Sequence, residues 1–186
     1  MRIISGTKRG VRLITFKNLR IRPTTDRTKE LIFNVINNFI KDSFVLDIYA
    51  GTGSLGIEAL SRGAAKAIFI ENHQKVLRIL KNNIEKTEFT DRAVVLKESA
   101  ENAIKKLAAL ALKFDVIFAD PPYIKNLALE TIKAVNNFNI LQKRGILIVE
   151  SSIKDELRDS TDRLTLKTRK RLGDTTVSFY QYDERE

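Results

Sequence analysis

The residues best suited to chemistry follow an apolar segment in the second half of the chain. Directly after the apolar run 114–119 come Asp120, Pro121, Pro122 and Tyr123. A carboxylate and a proline carbonyl can accept the two N–H bonds of an exocyclic amine and orient its lone pair without prior deprotonation. The prolines stiffen the loop, and the tyrosine ring offers a stacking face. The motif predicts a site for an amino-bearing nucleobase, with an ordinary turn after a strand as the alternative.

A second chemical feature is a glycine-rich turn much earlier in the chain. After the apolar run 44–48 come Gly51, Gly53 and Gly56, with the G-x-G-x-x-G spacing that allows a tight turn close to a ligand. The acidic residue expected about 20 positions later for a ribose hydroxyl is Glu71. This spacing leaves open a nicotinamide or flavin enzyme, an S-adenosylmethionine enzyme, and a turn that merely joins a strand to a helix.

Asp47 favours the methyl donor among these possibilities. It stands just before the glycine turn, where a dinucleotide would place its pyrophosphate. A carboxylate there would repel the phosphates by a few kcal/mol at ~4 Å in a half-buried cleft. S-adenosylmethionine has no phosphate, and the same carboxylate would attract its ammonium and sulfonium. An acid that only caps the turn is the alternative. Together the two motifs predict a methyltransferase that acts on an exocyclic amine of a nucleobase.

Composition narrows the class of protein. The chain has 186 residues, which suits a single domain with a sizeable core. It has no cysteine, which excludes disulfides, thiolate zinc sites and a cysteine nucleophile and agrees with a cytoplasmic location. The single histidine, His73, forms no metal cluster and is interpreted as a solvated or capping residue. No apolar stretch of about 18 residues or signal-like segment occurs, so neither a membrane span nor a metal is expected.

From Ser43 onward, short apolar runs alternate with amphipathic segments. The predicted strands are 44–48, 67–71, 93–97, 114–119 and 145–150, and the predicted helices are 54–62, 73–86, 99–112 and 127–138. This alternation indicates a parallel sheet with helices on both faces. The runs 163–170 and 176–182 flank Gly173 and Asp174, and they predict an antiparallel hairpin at the end of the sheet.

The predicted sheet brings the polar candidates together. Ligands of such sheets bind outside the carboxyl ends of the strands. Asp47, Glu71, Ser99 and Asp120 all fall at those ends. A common site for these four residues is therefore expected.

Residues 1–42 form a predicted extension in front of a catalytic domain at 43–186. The segments 2–5 and 11–14 alternate around a glycine turn and are expected to pair as a hairpin. A helix is predicted from about Thr25, with one apolar face formed by Leu31, Ile32, Val35, Ile36 and Phe39.

The positive charge of the chain is concentrated at two places. The net charge is +10, and residues 1–29 hold nine basic residues against one acid, Asp26. A second basic run spans 167–171 in the C-terminal hairpin. Such clustering is typical of nucleic-acid binding, with a solvated basic surface or an anionic-membrane patch as alternatives. The candidate RNA contacts are Arg2, Lys8, Arg9, Arg12, Arg22 and Arg27.

These motifs match a known family along almost the whole chain. The chain closely resembles the RsmD-type bacterial 16S ribosomal RNA guanine-N2 methyltransferases. The resemblance rests on segments 2–6, 9–10, 22–27 with Glu30, 46–64, 120–123 and 149–150. Many amino-methyltransferases share the glycine and DPPY motifs, whereas the RPT-x-DR block and the L-G-x-E-A-L-S-R-G-A block are much more specific.

The resemblance implies a fold, a donor and a target. The fold would be the class I methyltransferase fold, α/β and Rossmann-like, with a mostly parallel seven-stranded sheet, a C-terminal antiparallel hairpin and a small N-terminal extension that binds RNA. The donor would be S-adenosylmethionine. The target would be the N2 amine of one guanine, number 966, in 16S rRNA, either as naked RNA or in the assembling small subunit. The protein is expected to be a monomer.

The resemblance also assigns residues to roles. It places methyl-transfer chemistry on Asp120, Pro121, Pro122 and Tyr123. It places the donor on Asp47, Tyr49, Ala50, Gly51, Gly53, Ser54, Glu71, Asn72, Ser99 and Ala100. Many such enzymes carry an acid or amide at the position that Ser99 occupies here.

Two other functional classes share these features. An adenine-N6 DNA methyltransferase uses the same DPPY chemistry, although such enzymes usually need a separate target-recognition region that this chain has little room for. A non-catalytic RNA-binding protein with a vestigial cofactor pocket is the other alternative. The intact set of Asp47, Glu71 and Asp120 argues against it.

Overall fold

The computed structural model describes residues 1–15, 25–122, 124 and 126–182. The strands are β1 Phe44–Ile48, β2 Lys66–Ile70, β3 Ala93–Leu96, β4 Phe114–Ala119, β5 Leu141–Ser152, β6 Leu164–Leu172 and β7 Thr175–Tyr182. The helices are α1 Asp26–Val35, α2 Asn37–Ile40, α3 Ser54–Ser61, α4 Gln74–Lys86, α5 Ala100–Ala109 and α6 Leu127–Phe138. The described strands form one sheet in the order β3-β2-β1-β4-β5-β7-β6.

The sheet confirms the predicted architecture. Strands β1 to β5 are parallel, and β7 pairs antiparallel with both β5 and β6, so the last described strand lies inside the sheet and β6 forms its edge. Strand β5 begins at Leu141, before the predicted start at residue 145, because residue 141 pairs with Phe114 before an irregularity in the ladder. Strand order reverses between β1 and β4, the position where open α/β sheets place their ligands.

Two apolar clusters cover the two faces of the sheet. One contains side chains of α3, α4, α1 and the N-terminal segment, including Phe33, Leu60 and Leu80. The other contains side chains of α5 and α6, including Ile104 and Ile132. Because both faces are covered, the central strands are almost continuously apolar, as expected for parallel strands buried on both sides.

The N-terminal extension is less regular than the sequence pattern predicts. The expected hairpin is reduced to a single antiparallel bridge between Arg2 and Arg12, supported by a hydrogen bond from the Ile3 N–H to the Val11 carbonyl at 2.9 Å. The expected helix is divided at Ile36, whose φ of −99° and ψ of 14° leave the helical range. Apolar side chains of both short helices, among them Phe33 and Ile40, belong to the core on one face of the sheet.

A buried carboxylate attaches the extension to the helix that follows the glycine turn. Glu58 of α3 has no exposed surface and accepts the N–H groups of Ile4 at 2.8 Å and Ser5 at 3.0 Å. It also accepts Lys29 Nζ at 3.3 Å and Arg62 Nε at 2.8 Å. Lys29 is fully buried as well. Two backbone donors and two cations satisfy the carboxylate, as the burial of a charge requires.

A second buried polar side chain joins the extension to the glycine turn. Asn83 of α4 accepts the Ile14 N–H at 2.7 Å through Oδ1. Its Nδ2 donates to the Ile14 carbonyl at 3.0 Å and to the Thr52 carbonyl at 2.8 Å. Asn83 is fully buried. Its single amide therefore holds the end of the first described segment and the turn in a fixed relation.

We predict that Glu58→Gln strongly destabilises the protein. The substitution keeps the size of the side chain but leaves Lys29 buried without its countercharge, which costs about 3–5 kcal/mol in comparable buried pairs. Urea unfolding measures the loss. The matched control is Glu101→Gln. Glu101 pairs with Lys105 at the same i,i+4 spacing as Glu58 with Arg62, but this pair is exposed, so the control should unfold like the wild type. Equal stability of the two variants would contradict the role of Glu58.

Candidate active site

One large cavity lies at the carboxyl ends of the parallel strands. Its volume is about 1080 Å³, just above the ~300–1,000 Å³ typical of small-molecule sites. Most of the residues selected from the sequence line it, namely Tyr49, Ala50, Gly51, Ser54, Glu71, Asn72, Ser99, Ala100, Asp120, Pro121 and Pro122. The fold thus brings the glycine turn and the Asp-Pro-Pro segment to one cavity. Tyr123 lies outside the described residues.

The glycine turn is held by close packing. Gly53 has a φ of +87°, in the left-handed region, and stands immediately before α3. A Cβ atom on Gly56 would lie 2.3 Å from Cε1 of Phe69, so only glycine lets α3 approach β2 this closely. Gly53 and Gly56 therefore shape the turn, and neither lines the cavity.

Asp47 lies beneath the turn and does not line the cavity. Its carboxylate is 2% exposed and accepts the Gly56 N–H at 2.9 Å through Oδ2. Burial raises the pKa of Asp47 to about 7, the Gly56 N–H opposes this, and the charges of Asp120 and Glu71 add to the rise. In this geometry the direct contact of Asp47 is with the backbone at the start of α3.

Glu71 fixes the opposite side of the turn. At the end of β2, its Oε2 accepts the Gly51 N–H at 3.1 Å and its Oε1 accepts the His73 N–H at 2.7 Å. The carboxylate therefore bridges the glycine turn and the start of α4 while lining the cavity. His73 occupies the position before α4, makes no side-chain cap and is exposed.

Tyr49 has an unusual backbone and a fixed hydroxyl. Its φ is +66°, a left-handed conformation that costs energy for a residue with a side chain and is most common at functional sites. Its hydroxyl lies 2.9 Å from Oγ1 of Thr131, which donates its own proton to the Leu127 carbonyl at 2.8 Å. The Tyr49 hydroxyl is therefore the donor of the pair. Burial raises the pKa of Tyr49, so it stays protonated at neutral pH.

Two serines mark polar positions of the cavity. Ser99 begins α5, where its Oγ accepts the Asn102 N–H at 3.3 Å. Ser54 begins α3, and its Oγ is buried without a hydrogen-bond partner in the described part of the chain. A buried hydroxyl without a partner is costly, so a polar ligand beside Ser54 would stabilise it.

The cavity lining is acidic. Among the described residues it contains the carboxylates of Glu71, Glu98, Glu101, Asp120 and Glu130, against Lys133 and the N-terminal residue Met1. Glu98 and Glu101 pair with lysines of α5 that do not line the cavity. Such a lining favours a cationic ligand and disfavours the phosphates of a dinucleotide. The charge argument that the sequence attached to Asp47 therefore applies to the lining as a whole.

The sequence pattern did not single out α6 or the end of the first segment as parts of this site. One face of α6 lines the cavity through Leu127, Glu130, Thr131 and Ala134. Thr15 lines it from the extension. The i, i+3, i+4, i+7 spacing on α6 is a visible signal, but it is the same spacing that any helix uses to face a core.

The candidate RNA contacts differ in their surroundings. Arg9, Arg12 and Arg27 are exposed. Arg2 is exposed and pairs with Asp26 at 3.2 Å, and Lys8 pairs with Glu88. Arg22 lies outside the described residues. Of this set, Arg9, Arg12 and Arg27 therefore form no ion pair within the described residues.

In the ranges that the structure describes, no helix is long and apolar enough to cross a membrane. Over the same ranges, no group of histidine and acidic side chains is arranged to hold a metal ion.

Comparisons with known proteins identify the family. A family model described as Conserved hypothetical protein 95 matches residues 1–181. Ribosomal RNA small subunit methyltransferase D of Haemophilus influenzae is 36% identical over 182 residues, which cover 97% of this chain and 93% of that protein. The protein of the same name from Escherichia coli K12 is 34% identical over 181 residues, covering 97% and 89%. The chain belongs to the RsmD-type methyltransferase family.

A solved structure supports the same assignment for the fold. The Escherichia coli protein yhhF superimposes on this chain with a TM-score of 0.86 at 32% identity, covering 100% of this chain and 99% of that chain. The sheet order of this RsmD-type chain, with five parallel strands and an antiparallel hairpin, is the class I methyltransferase fold that the sequence resemblance implied.

The raised pKa of Asp47 predicts a pH dependence of stability. An acid whose pKa rises from 3.8 in the unfolded chain to about 7 in the fold binds more protons when folded, so its stabilisation is present below pH 3.8 and is lost as pH rises through 7. The loss amounts to roughly 4 kcal/mol. We expect Asp47→Asn to flatten the decline in unfolding free energy between pH 4 and pH 8.

Urea unfolding at a series of pH values measures this effect. The control is Asp91→Asn, which changes an exposed aspartate and should keep the wild-type pH profile. Parallel profiles for Asp47→Asn and the wild type would show that Asp47 is ionised in the fold throughout this range.

Proposed function

We propose that this protein transfers a methyl group from S-adenosylmethionine to the N2 amine of a guanine in 16S rRNA. By family resemblance the guanine is number 966, and the substrate is the RNA itself or the assembling small subunit in the cytoplasm. One observation carries the proposal. A single cavity is lined both by the glycine turn and by the Asp-Pro-Pro segment, so a donor and an amine bound there would meet.

The residues of the cavity fit the donor. S-adenosylmethionine supplies an electrophilic methyl group on a sulfonium, together with an ammonium and a ribose. Ser54 offers an unsatisfied buried hydroxyl, and Glu71 offers a carboxylate at the strand end that usually receives ribose hydroxyls. The donor would be held by residues that line the cavity, namely Tyr49, Ala50, Gly51, Ser54, Glu71, Asn72, Ser99 and Ala100, while Gly53 would set the shape of the turn around it. Asp47 would act from beneath the turn by holding the start of α3.

Asp120 and Pro121 orient the amine. Asp120 follows β4 directly, and Pro121 is buried behind it. The Pro122 carbonyl already accepts the Ile124 N–H at 2.6 Å, which leaves the Pro121 carbonyl as the backbone acceptor for the substrate. The Asp120 carboxylate accepts one amine N–H and stabilises the positive charge that develops on the nitrogen. Tyr123 would stack on the base.

The charge distribution suits an RNA substrate with one extruded base. The exposed cations Arg9, Arg12 and Arg27 of the extension attract phosphates, whereas the acidic lining of the cavity repels them. A base can therefore enter the cavity while its backbone stays outside. Enzymes that modify a nucleobase commonly extrude it from its stack in this way.

The direct test is methylation of 16S rRNA from a strain that lacks this gene. The purified protein and labelled S-adenosylmethionine are incubated with the RNA, with small subunits and with unmethylated DNA, and the modified nucleotides are mapped by mass spectrometry. N2-methylguanosine at one site in the RNA is the expected product. N6-methyladenine in the DNA would instead establish the alternative DNA methyltransferase, and no product in any arm would refute enzymatic activity.

Substitution of Asp120 separates chemistry from binding. We expect Asp120→Ala to lower turnover by at least about 10²- to 10³-fold, because the carboxylate interacts with charge that develops only in the transition state. Donor affinity by calorimetry and RNA affinity should change little. Asp174→Ala, which alters an exposed aspartate of the β6–β7 turn, is the control and should keep wild-type rates. Normal turnover in the Asp120 variant would rule out amine positioning by this residue.

A further inference from the structure

The basic run 167–171 is a surface feature that the proposed function does not yet use. It lies on β6, the edge strand, which has β7 as its only neighbour among the described strands. Lys167, Arg169, Lys170 and Arg171 are all exposed. An edge strand with this many cations presents positive charge along one border of the sheet.

The strand register places this run at the same end of the sheet as the cavity. Ser152, the last residue of β5, pairs with Thr175, so the β6–β7 turn lies at the carboxyl ends of the parallel strands. Across the sheet, Glu150 pairs with Val177, which pairs with Lys170. Asp120 and Glu150 are the next residues after the β4–β5 pair 119 and 149. Three strand spacings of ~4.8 Å therefore place the Cα atom of Lys170 about 14 Å from the Cα atom of Asp120.

Among the cations of the run, only Arg169 forms an ion pair in the described part of the chain. Arg169 pairs with Asp159 at 3.1 Å and donates to the Leu157 carbonyl at 3.0 Å and to Ser178 Oγ at 3.1 Å. Lys167, Lys170 and Arg171 have no acidic partner in the described part of the chain, and we call these three residues the basic edge. Arg171 donates to the carbonyl of Gly173 through Nε, which keeps its guanidinium beside the turn.

The basic edge and the basic extension lie on opposite sides of the cavity. The extension packs against α3 and α4, and its residue Thr15 lines the cavity from that side. The basic edge lies beyond β5 and β7, on the other side of β4. An RNA strand that places one base in the cavity must leave it in two directions, and each direction leads toward a group of cations.

We propose that the basic edge binds phosphates of the ribosomal RNA next to the target nucleotide, an inference that rests on the proposed function. The extension then holds the RNA on one side of the extruded base and the basic edge holds it on the other. Contacts of this kind position the substrate and carry no base specificity. A different explanation of edge lysines is that they prevent another strand from pairing with the sheet. That explanation predicts aggregation on neutralisation and no specific change in RNA binding.

A matched pair of charge variants tests the basic edge. The test variant carries Lys167→Gln, Lys170→Gln and Arg171→Gln. The control variant carries Lys113→Gln, Lys143→Gln and Arg144→Gln, three cations at the opposite, amino-terminal ends of β4 and β5 that also lack an acidic partner in the described residues. Both variants remove three positive charges, so the effect of net charge is the same in both.

Binding to in vitro transcribed 16S rRNA is measured as a function of salt concentration. The negative slope of log K against log salt should become shallower by about 2 in the test variant, near 0.7 for each lost contact with single-stranded RNA. The control should change it much less. Donor affinity should be unchanged in both. Equal slopes for the two variants would overturn the proposal that the basic edge binds RNA. Aggregation of the test variant, with a wild-type slope in its monomeric fraction, would overturn it as well.

The methylation assay distinguishes failure of this inference from failure of the proposed function. If the wild type methylates 16S rRNA while the test variant keeps the wild-type slope and rate, only the inference that the basic edge binds RNA is wrong. If the wild type neither binds nor methylates the RNA, the proposed function and the basic edge are both wrong. A raised KM for RNA with an unchanged kcat in the test variant would support the basic edge, because its residues lie away from the reacting atoms.

Discussion

The arrangement of this protein depends on one fully buried carboxylate. Glu58 has given up its hydration, which costs several kcal/mol unless donors replace the lost water. The donors come from the backbone of Ile4 and Ser5, from Lys29 of α1 and from Arg62, which follows the helix of Glu58. Lys29 also donates to the Arg2 carbonyl. The extension thus supplies three of the four donors to Glu58, and its docking on α3 satisfies a charge that would otherwise be buried with Arg62 alone.

This docking fixes the basic extension relative to the cavity. The helix that carries Glu58 begins at the glycine turn, and Asn83 links the same turn to the segment that ends at Thr15. The extension therefore shares its apolar core with the catalytic sheet. Its exposed arginines have a fixed direction relative to the cavity, as an enzyme needs if it holds RNA at one place and reacts with a base at another.

Charge is separated within a strongly basic protein. The lining of the cavity carries five carboxylates in its described part, although the chain has a net charge of +10. The strand ends supply Glu71 and Asp120, the loop after β3 supplies Glu98, and helices α5 and α6 supply Glu101 and Glu130. Cations are placed outside, on the extension and on β6. Under the proposed function, this separation would attract a polyanion to the outer surface, keep its phosphates out of the cavity and favour a cationic donor inside it.

The sequence by itself determined the fold family and the order of strands and helices along the chain, and it singled out the two motifs that the fold brings to one cavity. These features follow from local periodicity and from residue types at short spacing, which can be recognised in the sequence without knowledge of long-range contacts. Only the tertiary structure decided that Asp47 lies beneath the turn, that Glu58, Lys29 and Asn83 are buried, and that α6 completes the cavity. In a sequence, charged and amide side chains indicate surface, because they are rarely buried without partners. The partners here come from segments far apart in the chain, and only folding brings them together.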